Sequence, residues 1–142
     1  YRKLLCIFSA FQLIKILTAE SQKNIKIYEL IENFYILLKK ESWIKNYIFW
    51  ELELLKIIGY DLELKNLVKK ELINNEVKYL VKSTKEKKIV PNFLIDNNQD
   101  FLNEEILIDG LRLVGDYLEK SILKPNNINY PLNRLRFLNT FK

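Results

Sequence analysis

Histidine and methionine are both missing from these 142 residues, and cysteine occurs once, at Cys6. Without an imidazole there is no Ser-His-Asp triad, no Cys-His nucleophile pair and no histidine metal ligand. A structural zinc takes four ligands, normally from cysteine and histidine, so a single thiol excludes it. Cys6 has small or apolar neighbours at helical spacing, Ala10 among them, and reads as a small core residue. A lone cysteine also fits a reducing cytoplasm. Long apolar runs are lacking too. The most apolar window, Leu4 to Leu17, is interrupted by Ser9, Gln12 and Lys15 and falls short of the ~20 residues that span a bilayer. It reads as a buried helix, and no small-residue cleavage site makes it a signal peptide. Glycine and proline occur three times each, too few for a flexible linker, and there is no internal repeat.

What remains suits one compact unit. At 49% hydrophobic and 29% charged residues the chain can bury a single core. Periodicity predicts a mainly α fold: a helical bundle with a small inserted β-ribbon. Helix one is expected over Lys3 to Thr18, with Leu4, Ile7, Phe8, Phe11, Ile14 and Leu17 as its buried face. Asn24 caps the second helix, whose stripe is Ile27, Leu30, Ile31, Phe34, Leu37 and Leu38; Ser42 caps the third, which stops at Gly59. The pattern over Asp61 to Asn75 is partly helical and leaves the state of that segment open. Val77, Tyr79 and Val81 alternate with Lys78, Leu80 and Lys82, the strand period. Ser83 to Lys87 turns the chain back into Lys88-Ile89-Val90, and Pro91 ends the ribbon. A polar loop follows, with a turn at Asn97-Asn98, and Asn103 caps a last long helix that Pro125 stops. The expected organisation is a bundle over 1–75, a ribbon over 76–91, and a loop, long helix and basic tail over 92–142.

Carboxylates are the acid-base groups left in quantity, and Glu51 stands out. Its helical neighbours Tyr47, Ile48, Leu54 and Leu55 are largely apolar, so it is buried or at the core edge. A buried unpaired carboxylate titrates high and can serve catalysis, but no second acid, nucleophile or metal site converges on it. A structural ion pair, with Arg112 as candidate partner, is the alternative. Arg112 itself lies on the polar stripe Glu105, Asp109, Arg112, Asp116 and Glu119, opposite Leu107, Leu111, Val114, Leu118 and Ile122. There it is either a solvated salt-bridge residue worth less than about 1 kcal/mol or an anchor.

Positive charge is moderate overall, a formal +5 with a pI near 9.2, and uneven. Lys82, Lys85, Lys87 and Lys88 crowd the ribbon tip against Glu86 alone. After Glu119 there is no acidic residue, while Lys120, Lys124, Arg134, Arg136 and Lys142 follow. Such clusters neutralise phosphates and release counterions, and Tyr79, Tyr130 and Phe137 among them offer rings for unpaired bases. Equally, lysines at a hairpin tip keep it soluble and block edge pairing.

Two glycines stand inside the last helix, Gly110 and Gly115 in Asp109-Gly-Leu-Arg-Leu-Val-Gly-Asp-Tyr-Leu-Glu-Lys120. Each costs about 1 kcal/mol against alanine, which suggests that another backbone comes close. Their spacing is not that of a phosphate loop. Upstream stands Trp50-Glu-Leu-Glu-Leu-Leu55, followed by Gly59-Tyr60. These two runs, with Val77-Lys-Tyr-Leu-Val81, Lys88-Ile-Val90, Leu123-Lys-Pro125 and Tyr130-Pro-Leu132, resemble in order and spacing the C-terminal region of the RecO recombination-mediator family of DNA repair. The likeness is strongest to its alphaproteobacterial branch.

The resemblance implies an N-terminal oligonucleotide-binding barrel that this chain lacks, and with no methionine at its start, Tyr1 points to truncation or processing. Some relatives carry ribbon cysteines; here the matching region reads Leu64-Lys-Asn-Leu-Val68, so a zinc-less ribbon held by packing is expected. The resemblance further implies no enzymatic activity and no cofactor. It implies binding of single-stranded DNA and of the acidic tail of the single-strand-binding protein, partnership with RecR, assistance to RecA loading, strand annealing, and a cytoplasmic, nucleoid-associated location. Arg112, Lys120, Lys124 and Arg136 are the expected contacts for an acidic peptide. A helical protein-docking module with no nucleic-acid contact is the alternative reading.

Overall fold

A computed structural model describes residues 1–18, 25–82, 88–96 and 102–141. The chain divides into two compact units, Tyr1–Leu62 with Val114–Lys142, and Glu63–Leu113.

The first unit is helical. Helix α1 is Arg2–Leu17, α2 Ile25–Leu37 and α3 Trp43–Ile57, close to the expected bounds. Ser42 stands at the start of α3, but its hydroxyl caps no backbone N–H and accepts instead from the Asn46 side-chain amide at 3.1 Å. The helix ends where glycine was expected to stop it: Gly59 has φ +93°, its N–H donates to Lys56 O, and Tyr60 N–H reaches back to Leu55 O at 2.8 Å. That paired closure requires the left-handed backbone glycine tolerates. The cap expected of Asn24 lies outside the described residues.

Helix α1 overturns its expected face. Leu5, Cys6, Ser9, Ala10 and Leu13 are buried, whereas Leu4 and Phe8 are each 47% exposed and Phe11 is 39% exposed. The helix is apolar almost all round, so size alone favoured the wrong stripe. The small residues Cys6, Ser9 and Ala10 mark the face along which other helices come close, and the one polar member is satisfied, Ser9 Oγ lying 3.0 Å from the Tyr47 hydroxyl. Phe34 of α2 then anchors an aromatic core, with Trp50 at 5.2 Å and Tyr47 at 6.0 Å between ring centroids. Trp50 seats its indole N–H on Leu30 O at 2.8 Å, as a buried tryptophan requires.

The closing segment is not a tail. Leu132–Asn139 forms a further helix, α7, numbered after α4 at Leu64–Leu67, α5 at Asn92–Ile95 and α6 at Glu104–Leu118, and it packs against α1. Asn133 N–H donates to Gln12 Oε1 at 2.9 Å and Arg2 Nη2 donates to Thr140 O at 2.8 Å, fixing an antiparallel register. Phe137 reaches the core edge-on to Tyr47 at 5.4 Å.

The second unit holds a short helix, Leu64–Leu67, and a three-stranded antiparallel sheet of order β1-β2-β3: Val68–Ile73, Glu76–Val81 and Ile89–Val90. Strands β2 and β3 are the expected ribbon. Strand β1 lies in the segment left open, and pairs with β2 from Val68↔Val81 to Ile73↔Glu76. Asn74 and Asn75, at φ +52° and +64°, form the two-residue turn with both centres left-handed that matches strand twist. Where a polar loop was expected after Pro91, Asn92–Ile95 is a short helix with Phe93 and Leu94 buried, and Asn92 Nδ2 donates to Val77 O at 2.8 Å. The expected turns at 83–87 and 97–98 lie outside the described residues.

The long helix, Glu104–Leu118, begins as the sequence predicts: Ile106 N–H donates to Asn103 Oδ1 at 2.9 Å, and Glu104 and Glu105 complement the positive end. Leu107, Leu111, Val114, Leu118 and Ile122 are buried, matching the expected stripe. The boundary between the two units falls within this helix. It then widens into a π turn at Glu119–Leu123 and tightens into a 3-10 turn at Lys124–Asn126 containing Pro125. With these elements the fold is mainly α with a small β-ribbon. Among the described residues no helix is long and apolar enough to cross a membrane.

Candidate partner interface and the buried ion pair

Glu51 is buried at 2% exposure and paired, but not with Arg112. Arg134, on α7 and 1% exposed, donates Nη2 to Glu51 Oε1 at 2.7 Å and Nε to Oε2 at 2.9 Å. Both carboxylate oxygens are thus held in the fork geometry only arginine supplies. Arg134 Nη1 donates to the Tyr130 hydroxyl at 2.6 Å. Arg112 is exposed on the long helix. This arrangement corrects two expectations at once: Glu51 has a different partner, and Arg134 is core structure rather than a surface cation for phosphates. The sequence held a signal for it, since Pro131, Phe137 and Leu138 flank Arg134 at helical spacing, the same apolar surround that marked Glu51.

Gly115 completes the cluster. A Cβ built there would lie 2.5 Å from Arg134 Nη1 and 2.9 Å from the Tyr130 oxygen. The close neighbours are therefore a guanidinium and a phenol, not the backbone the sequence suggested. Gly110 is buried on the same helix.

Burial and charge act together on the groups nearby. Burial first, then the Glu51 charge, pushes the Cys6 thiol well above its ordinary value of 9.0, against a smaller opposing pull from Arg134. The Tyr47 hydroxyl is pushed up by burial and then by Glu51 and Cys6, and Tyr130 rises through burial, with Arg134 opposing. For Arg134, burial works against the charge, but Glu51 outweighs it and the guanidinium holds its proton more tightly than usual. Cys6 is consequently a neutral, inert thiol at neutral pH.

Folding stability follows with a definite sign. The folded chain keeps the Cys6 and Tyr47 protons more tightly than the unfolded chain, so this contribution is complete below their ordinary values and declines as pH rises past them. Unfolding free energies from urea titrations should fall above pH 9, the ordinary value for Cys6, by up to about 1.4 kcal/mol per pH unit from one such group. Cys6→Ala should lower the whole profile by the cost of its cavity yet flatten its limb between pH 9 and 10. An equally steep limb in the variant would remove Cys6 as the cause.

The surface cations divide between the units. Lys82 and Arg112 are exposed and Lys88 half-buried in the second unit; Lys120, Lys124 and Arg136 are exposed in the first. Lys124 contacts Glu119 at 3.4 Å with most of its side chain in solvent. Lys85 and Lys87 lie outside the described residues. Among the rings expected to stack, Phe137 is buried in the core, and Tyr130 is tied to Arg134. Tyr79 is half-buried on β2.

No curated protein and no solved structure matches this chain. The family model described as recombination protein O C terminal matches residues 1–127, which takes in the Trp50 to Leu55 run, the ribbon and the whole of the long helix with its two glycines. The chain therefore belongs to the RecO C-terminal family and its work lies in recombination repair.

Proposed function

We propose that this chain acts as a non-catalytic recombination mediator that binds single-stranded DNA and the acidic tail of the single-strand-binding protein. In this reading it assists RecA loading together with RecR and anneals complementary strands. The family match over residues 1–127 carries the reading. The exposed cations Lys82, Arg112, Lys120, Lys124 and Arg136 support it, since they present charge that phosphates or carboxylates can reach. Glu51 supports the absence of catalysis, because the acid that stood out in the sequence is sealed and neutralised by Arg134. The closing run without acids keeps its basic character even after Arg134 is removed from the binding set.

Fluorescence anisotropy of a labelled single-stranded oligonucleotide tests the reading. Binding should weaken steeply between low and near-physiological salt, with a slope near −0.7 per phosphate contacted. Replacing Lys85, Lys87 and Lys88 together by glutamine should make that slope shallower by about 2. Unchanged binding in the triple variant removes the ribbon tip from the interface. No binding of the unmodified chain at low salt leaves it as a protein-docking module.

A further inference from the structure

The face of α1 that the core rejects is aromatic and basic. Leu4, Phe8, Phe11 and Lys15 recur at steps of four, three and four residues and are all exposed, so they form one outward row. Tyr35 of α2, 50% exposed, extends it, its ring centroid 6.4 Å from that of Phe11. Phe11 also leans edge-on against the buried Phe34 at 6.3 Å. No carboxylate occurs from Tyr1 to Thr18, whereas Arg2, Lys3 and Lys15 do. An exposed aromatic row that ends in a positive charge has a natural complement in an anion with flat apolar faces.

We propose that Phe8, Phe11 and Tyr35 form a stacking platform for the unpaired bases of a single-stranded nucleic acid, with Lys15, one turn beyond Phe11, set against its phosphates. The proposal rests on the strand-binding reading above and gives it a further set of residues, none of which that reading used. Three of the four apolar positions in the row are rings rather than aliphatic chains, which favours bases over an apolar helix as the occupant, because every base offers a π-face. Glu32, three residues before Tyr35 on α2 and exposed, should repel the backbone.

Titration of a labelled oligothymidylate into the unmodified chain, Phe8→Gln, Tyr35→Gln and the double variant provides the test, with circular dichroism confirming equal helix content. Each lost ring should weaken binding by about tenfold while leaving the salt slope unchanged. Lys15→Gln should instead make the slope shallower by about 0.7, Glu32→Gln should tighten binding, and Phe8→Trp should retain it. If the unmodified chain binds and the double variant binds as well, the platform is wrong while the strand-binding reading stands. If the unmodified chain does not bind single strands, both fail. If the double variant loses affinity for the single-strand-binding protein but keeps strand affinity, the face docks protein and the proposal is overturned.

Discussion

Arg134→Ala should cost about 3–5 kcal/mol of folding stability, the range for breaking a buried ion pair from one side. Glu51 is left charged at 2% exposure with both oxygens unpartnered, and the Tyr130 hydroxyl loses its donor. A domain of this size has a total margin of about 5–15 kcal/mol, so the variant should show a urea midpoint lowered by roughly a fifth or more. Glu51→Ala should be comparably damaging, because a guanidinium at 1% exposure cannot reach water. Replacing both residues by apolar ones of similar length, Glu51→Met with Arg134→Met, should recover most of the loss, since neither charge is then stranded. A double-mutant cycle should therefore return a coupling of about 2 kcal/mol or more. Glu51→Gln with Arg112→Gln should be additive instead, because Arg112 takes no part in holding the carboxylate. Additivity between Glu51 and Arg134 would mean that the pair does not hold the fold.

That contrast shows where sequence reasoning reached and where it stopped. Local periodicity located α2, α3 and the long helix, because each has one apolar face, and Gly59 ends α3 and Asn103 begins the long helix recognisably. It marked Glu51 as an acid in the core or at its edge from four largely apolar neighbours, all about one turn away. It could not name the partner, since Arg134 lies 83 positions away and nothing local links the two. Helix α1 was legible as a helix but not in its orientation: with apolar residues all round, large side chains look like core, while close packing selected Cys6, Ser9 and Ala10. Strand β1 was hidden because its burial does not alternate. Leu72 is 73% exposed and Val68 buried, and its turn is Asn-Asn rather than the stronger Asn-Gly signal. Helix α7 is only eight residues long, held by packing on α1 rather than by its own propensity, so a basic tail was the natural reading of its sequence. The surface cations were legible as types, whereas burial, which separates Arg134 from Arg136, was not.

Gly115→Ala should destabilise the chain by roughly 2–4 kcal/mol although alanine is the better helix former by about 1 kcal/mol. The new methyl would sit 2.5 Å from Arg134 Nη1 and 3.3 Å from its Cζ, and the group it strikes cannot swing aside. Two hydrogen bonds to Glu51 and one to Tyr130 hold the guanidinium, so relief requires breaking at least one charge-assisted bond, worth about 1.5–3 kcal/mol. Overpacking adds about 1–3 kcal/mol. The same substitution made in the Glu51→Met, Arg134→Met background should be neutral or stabilising by up to about 1 kcal/mol, since an unbranched thioether yields where an anchored guanidinium does not. The sign of the effect thus depends on Arg134 and on the Tyr130 hydroxyl it holds, which would lie 2.9 Å from the new methyl. Thermal or urea melts of the four proteins decide the matter: equal losses in both backgrounds would show that Gly115 answers to some other neighbour, whereas reversal makes the glycine the space reserved for the arginine that neutralises Glu51.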